Sequence, residues 1–253
     1  MKDTLKTQAK QLKLSYIKDH VDRHIEESET FNEPYEAFLE KLFEAELKHR
    51  SHNSVQRRLR IANFPYPKYL DTLDFEALPK DLKHHFKALS SLKFLADKQN
   101  LILAGNPGTG KTHTAIGLGI KAAEAGHKVY FAHVPSLILE LKEAKSTQKL
   151  HVLKRRLERY PLIILDELGY ISFDYEGSEL LFNLISTRNE RSSTIITTNL
   201  AFSRWQEIFK DPVITAAMVD RLTHHSYVID MNGTSYRYLE QKRLKESKQP
   251  SAN

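Results

Sequence analysis

Gly105-Asn-Pro-Gly-Thr-Gly110-Lys111-Thr112 fits the pattern GxxxxGK[ST], with the apolar run Leu101-Ile-Leu-Ala104 before it and a helical stretch, Thr112 to Glu124, behind. Residues of these types in this order can hold a polyphosphate. Glycines permit positive φ and let successive backbone N–H groups turn toward one anion, which the amino end of the following helix stabilises further. Lys111 would reach the β- and γ-phosphates of a nucleotide and the Thr112 hydroxyl would bind Mg²⁺. Gly105, Asn106, Pro107, Gly108, Thr109, Gly110 and His113 complete the expected cradle.

Hydrolysis needs further parts, and candidates follow in chain order. "LIILDE" ends an apolar strand in Asp166-Glu167. Asp166 would hold Mg²⁺ through water and Glu167 would polarise the attacking water. Asn199, at the tip of "IITTN", can hydrogen-bond the same water or the γ-phosphate. Arg221 in "MVDRL" and Arg237 in "SYR" are candidate guanidinium donors, although a surface salt bridge explains either equally well. Such a donor supplied by a neighbouring subunit raises phosphoryl transfer by roughly 10³ to 10⁵.

These residues need a scaffold with strand tips on one edge. Five short apolar runs supply it, "LILA" (101–104), "KVYFA" (128–132), "PLIIL" (161–165), "STIITTN" (193–199) and "YVIDM" (227–231). Continuous rather than alternating apolar character indicates strands covered on both faces, and the intervals leave room for helices, so the expected class is α/β with a parallel sheet. Upstream, Leu12, Ile17, Val21 and Ile25 predict a helix over about Leu5 to Ile25. Thr30-Phe-Asn-Glu33 reads as a capping box opening a second, long helix with Tyr35, Phe38, Leu39, Leu42, Phe43 and Leu47 at helical spacing, which "NFPYP" ends. The expected organisation is a helical appendage over 1–65, a connecting segment over 66–100 with a helix near 80–98, a nucleotide-binding domain to 245, and a polar tail over 246–253.

The 253 residues contain no cysteine, which excludes disulfides, thiolate metal sites and cysteine nucleophiles. No long uncharged apolar stretch and no apolar signal core occur, so a soluble, cytoplasmic protein is expected. A formal net charge of +6 is unevenly spread: eleven acidic residues oppose seven basic ones through Leu47. The basic excess lies in "KHRSHNSVQRRLR" (48–60) and "KEAKSTQKLHVLKRRLER" (142–159). Both stripes suit sequence-independent contacts to nucleic-acid phosphates, with solvated helix faces or contacts to the acidic N-terminal segment as the alternative.

In order and spacing, "GNPGTGKTH", "LIILDELGY", "IITTN", "MVDRL" and "SYR" resemble the DnaC/IstB branch of the AAA+ ATPases. "DELGY" and "RRLRIANFPYPK" look most like IstB, the helper ATPase encoded beside the transposase of certain insertion sequences. The resemblance covers essentially the whole chain. It implies an AAA+ P-loop core of five parallel strands in order 5-1-4-3-2, without the C-terminal helical lid for which too little chain remains. It also implies ATP with Mg²⁺ held between subunits of a ring or helical filament. Lys111 and Thr112 would be Walker A, Asp166 and Glu167 Walker B, Asn199 sensor 1, Arg221 the finger acting in trans, and Arg237 sensor 2. Relatives of this kind capture and deform duplex DNA and pass it to an IstA-type transposase. That picture makes Lys142, Lys145, Lys149, Lys154, Arg155 and Arg156, with Arg57, Arg58 and Arg60, the candidate DNA contacts. The alternative within the branch is a replicative helicase loader.

Overall fold

The computed structural model describes residues 2–236 and 238, and the chain divides into two compact units, Met1–Arg57 and Arg58–Asn253.

The first unit is helical: α1 (Lys2–Gln11), α2 (Ser15–Phe31) and most of α3 (Tyr35–Ile61). The helix expected over Leu5 to Ile25 is therefore two, because Lys13 turns into the left-handed region at φ 57°. The expected capping box is also corrected. Thr30 lies inside α2, its hydroxyl donating to Glu26 O, and Asn32 ends that helix in the left-handed conformation (φ 47°). Ala9, Ile17, Val21 and Leu42 form a small core, with Leu14, Ile25 and Phe38 against it. Inside this unit Glu46 is buried. Its carboxylate accepts the Tyr16 and Ile17 backbone N–H groups at 2.9 and 3.1 Å, capping the start of α2 from α3. Arg50 donates to the same carboxylate at 2.8 Å and to Lys13 O at 2.6 Å. Helix amino ends leave N–H groups without intrahelical partners, which is why a carboxylate is stable there.

The second unit begins with the last turn of α3. Two helices, α4 (Lys80–Ser90) and α5 (Lys93–Ala96), replace the single one expected near 80–98, the break falling at Leu92 (φ 60°). Strands and helices then alternate: β1 (Asn100–Ala104), α6 (Lys111–Glu124), β2 (Val129–His133), α7 (Val134–Ser146), α8 (Leu150–Glu158), β3 (Leu162–Leu168), α9 (Tyr175–Arg188), β4 (Ser193–Thr198), α10 (Gln206–Phe209), α11 (Pro212–Thr223) and β5 (Ser226–Asp230). The five strands pair in parallel in the order β2-β3-β4-β1-β5, the same order as 5-1-4-3-2 read from the other edge.

Successive strand residues face opposite sides, so a sheet covered on both faces needs apolar residues at every position. Leu101 and Leu103, with Phe131, Ile164, Ile195 and Ile229, pack under α4, α5 and α6. Ile102, Ile163, Leu165 and Ile196 pack under α7 to α11, where the fully buried Trp205 lies against Phe202 and Phe209. Arg188, 2% exposed, donates to the carbonyls of Leu157, Tyr160 and Ser193, and burial lowers its guanidinium pKa to about 10. It braces the turn into β3 against the start of β4. Because all five strands are parallel, their carboxyl ends share one edge, and the motif residues lie there. Among the described residues no helix is long and apolar enough to cross a membrane.

Candidate functional site

The loop between β1 and α6 folds back on its own lysine. Lys111, 7% exposed, donates to Gly105 O and Asn106 O, both at 2.6 Å. Gly108 has φ +81°, a conformation that favours glycine, and a Cβ there would lie 2.2 Å from Ser235 Oγ. At Gly105 a Cβ would lie 2.4 Å from the Met231 carbonyl carbon. The chain after β5 thus lies directly on the loop, with Asn106 N–H donating to Asn232 Oδ1 at 3.1 Å and Tyr236 N–H to Gly108 O at 2.9 Å.

Beside the loop, Asp166 is 4% exposed and its Oδ1 accepts from two hydroxyls, Thr112 at 2.9 Å and Thr197 at 2.6 Å. Burial raises its carboxyl pKa above the ordinary range, and the two hydroxyl donors oppose that rise. Thr112 Oγ keeps lone pairs while it donates, so a hydroxyl oxygen and a carboxylate oxygen stand together next to the phosphate loop. A hard divalent cation takes oxygen ligands of this kind, and the donor set fits Mg²⁺ shared with a nucleotide's phosphates.

Glu167 occupies an irregularity in the β3–β4 pairing between Leu165 and Leu168, at φ +62°. A non-glycine residue held there stores strain, a pattern associated with functional positions. Its N–H donates to Thr197 Oγ at 2.9 Å and its carboxylate meets His133 Nε2 at the end of β2. Asn199, one residue beyond β4, has a buried Oδ1 with no hydrogen-bond partner among the described residues.

A cleft of about 680 Å³ opens over these groups. Gly108 to His113, Glu167, Tyr170 and Thr197 form one side, while Tyr66, Pro67, Lys68, Thr72, Leu73, Asp74, Ala77 and Leu78 form the other, with Thr234 and Tyr236 at the rim. A volume of this size is within the range of small-molecule ligand sites. His113 lines the cleft, but its ring is committed to that wall: Nε2 lies 2.9 Å from Tyr69 O and 3.1 Å from Thr72 Oγ, and burial lowers its pKa. Through these contacts it fastens the 69–72 turn to α6.

The structure thus gathers Gly105 to Thr112, Asp166, Glu167 and Asn199 at one edge. Arg221 is elsewhere, half-buried on α11, with Nη1 2.6 Å from Ser186 Oγ and its guanidinium carbon 4.4 Å from the Phe182 ring centre on α9. Neither of those residues lines the cleft. Arg237 lies outside the described residues. Thr197, His133 and the 66–78 wall were not anticipated from sequence. The only trace of Thr197 was its place beside Asn199 in "IITTN", and the "FPYPK" element was legible without its role.

The basic candidates separate as well. On α7 and α8, Lys142 pairs with Asp174 at 2.6 Å, Lys145 with Glu176 at 2.7 Å and Arg156 with Glu140 at 2.6 Å. Lys149, Lys154 and Arg155 have no ion pair among the described residues, and Lys149 and Arg155 are exposed. In the other stripe Arg57 and Arg60 are exposed. Arg58 is drawn inward, its Nε donating to Ala123 O at 2.6 Å, where it satisfies a carbonyl at the end of α6.

Residues 7–245 match the family described as IstB-like ATP binding protein. An ATP-binding protein of insertion sequence IS5376 from Geobacillus stearothermophilus is 36% identical, covering 98% of this chain and 99% of its own. One of insertion sequence IS21 from Pseudomonas aeruginosa is also 36% identical, over 92% and 88%. Among solved structures, DnaI superposes with a TM-score of 0.56 at 21% identity, over 71% of this chain and 94% of that one. The fold is that of an AAA+ P-loop protein.

Proposed function

The chain belongs to the IstB-like ATP-binding family, and from that premise we propose that it is an Mg²⁺-dependent ATPase that assembles with its own copies on duplex DNA, deforms it and delivers it to an IstA-type transposase. The observation that carries the reading is the Thr112–Asp166–Thr197 hydroxyl–carboxylate chain set against Glu167 and the phosphate loop. It joins cation ligands, a water-activating carboxylate and a triphosphate cradle on one sheet edge.

In this reading Lys111 leaves the loop carbonyls for the β- and γ-phosphates. Thr112 and Asp166 would hold Mg²⁺, which would supply neutralisation of phosphate charge. Glu167, steadied by His133, accepts a proton from the attacking water, and the Asn199 Oδ1, without a hydrogen-bond partner among the described residues, accepts a hydrogen bond from the same water. Arg221 acts on the nucleotide of a neighbouring copy, and Arg237 assists from the segment after β5. Lys149, Lys154 and Arg155, whose charges are uncommitted among the described residues, lead the contacts to DNA phosphates. Arg57 and Arg60 add to them, and Lys142, Lys145 and Arg156 take part by exchanging carboxylates for phosphates.

Turnover of ATP by the intact protein, with and without duplex DNA and Mg²⁺, tests the proposal. The expected result is Mg²⁺-dependent hydrolysis and duplex affinity that requires ATP. Absence of ATP-dependent duplex affinity, together with capture of a replicative helicase in a pull-down, would replace it with a helicase loader.

A further inference from the structure

Arg23, Arg50, Arg156 and Arg204 each lie on a carboxylate, that of Glu27, Glu46, Glu140 and Glu207 respectively. Arg221 is held differently. It has no ion pair among the described residues, and the groups against it are neutral. Phe182 and Ser186 stand four residues apart on α9, which packs on α11. The Ser186 hydroxyl donates to Phe182 O at 2.7 Å, which commits its proton and leaves its oxygen to accept from Arg221 Nη1 at 2.6 Å. The guanidinium carbon lies 4.4 Å from the Phe182 ring centre, within the range at which a ring face attracts a cation.

We propose that Phe182 and Ser186 are positioning residues for phosphoryl transfer: they fix the direction of the Arg221 guanidinium and leave its charge uncancelled for the triphosphate of a neighbouring copy. This role rests on the reading of Arg221 given above. A carboxylate in place of Ser186 would aim the side chain equally well. It would also have to be displaced before a phosphate could take over, because a guanidinium–carboxylate contact is roughly twice as strong as a neutral hydrogen bond. A hydroxyl and a ring face impose no such exchange. They order a long, rotamer-rich side chain before the phosphate arrives, so less freedom is lost when it engages.

ATP turnover with Mg²⁺ and duplex DNA, set against ATP affinity from equilibrium dialysis, tests it. Phe182→Leu should lower kcat by about 10- to 100-fold, the effect of a misaimed group at a reacting centre, with ATP affinity unchanged. Phe182→Tyr keeps the ring face and should recover most of that loss. Ser186→Ala reads the same support independently and should lower kcat by about 10-fold. In an Arg221→Ala background neither change should lower turnover further, because nothing is left to aim. Mixing locates the effect in the copy that donates the arginine. Lys111→Ala/Phe182→Leu mixed with Arg221→Ala should recover at least about 10-fold less turnover than Lys111→Ala mixed with Arg221→Ala. Lys111→Ala mixed with Arg221→Ala/Phe182→Leu should match that reference. Undiminished turnover in both Phe182→Leu and Ser186→Ala, or an equal loss in the Arg221→Ala background, overturns the proposal and leaves the nucleotide site as described. Undiminished turnover in Arg221→Ala would instead remove the reading of Arg221, and this proposal with it.

Discussion

The carboxyl edge of the sheet and the N-terminal helices handle polar groups in opposite ways. At the edge, Asp166, Thr112 and Thr197 are bonded to one another across up to 54 residues of chain, and Lys111 is turned inward onto the Gly105 and Asn106 carbonyls. In the helical unit one carboxylate, Glu46, is buried, and apolar residues are left outside instead. Interior polarity is expensive unless every group finds a partner. The edge maintains a cluster of such groups because a charged ligand has to be met there. The helical unit needs one buried ionic contact to fix a helix start.

The contrast sharpens if each region can be disabled alone. Arg221→Ala should give the largest effect, a fall in ATP turnover of about 10³-fold with ATP affinity unchanged by equilibrium dialysis. Lys111→Ala follows. Losing the buried ammonium should weaken ATP binding by about 100- to 1,000-fold, and dialysis at matched affinity would contradict the role. Neither change should alter hydrogen exchange at the Tyr16 and Ile17 amides, since those report on the other unit.

Glu46→Gln should do the converse. It removes a charged acceptor from two N–H donors and Arg50, costing about 1–3 kcal/mol, with faster exchange at Tyr16 and Ile17 and unchanged ATP binding. The same contact predicts a pH dependence. Burial raises the Glu46 carboxyl, but Arg50 and the two backbone donors together outweigh that and hold its pKa below the usual range. A depressed folded-state pKa means stability present above the ordinary glutamate value and lost as pH falls through the lower folded one. Acid-induced opening of the helical unit should therefore shift in Glu46→Gln, and an identical acid profile would break the comparison.

The smallest effect separates cations that looked alike in sequence. Lys149→Ala and Arg155→Ala should each flatten the salt dependence of duplex binding by about 0.9 in logarithmic slope. Arg58→Ala should leave that slope unchanged and instead loosen the end of α6.

What was legible in the sequence was contiguous. The phosphate loop, the Asp166-Glu167 pair and the parallel sheet rest on residues adjacent in the chain, with apolar runs long enough to mark strands. Thr197 and His133 act through strands that are neighbours only after folding, and nothing in "IITTN" or "KVYFAH" marks their hydroxyl or ring as bonded to β3. Composition likewise could not show that Arg58 turns inward while Arg57 and Arg60 stay in solvent. The helix breaks at Lys13 and Leu92 carry no glycine or proline at the turn itself. They rest on left-handed backbone at ordinary residues, which local pattern does not signal.

The central claim, that one copy grips the triphosphate and another completes the site, is tested most directly by mixing two inactive variants. Arg221→Ala retains the cradle and lacks the guanidinium, while Lys111→Ala retains Arg221 and lacks the cradle. Titrating one into the other with ATP, Mg²⁺ and duplex DNA should restore turnover, with a maximum at intermediate ratio, as intact half-sites meet. No recovery at any ratio, with both variants folded and able to associate, would contradict it.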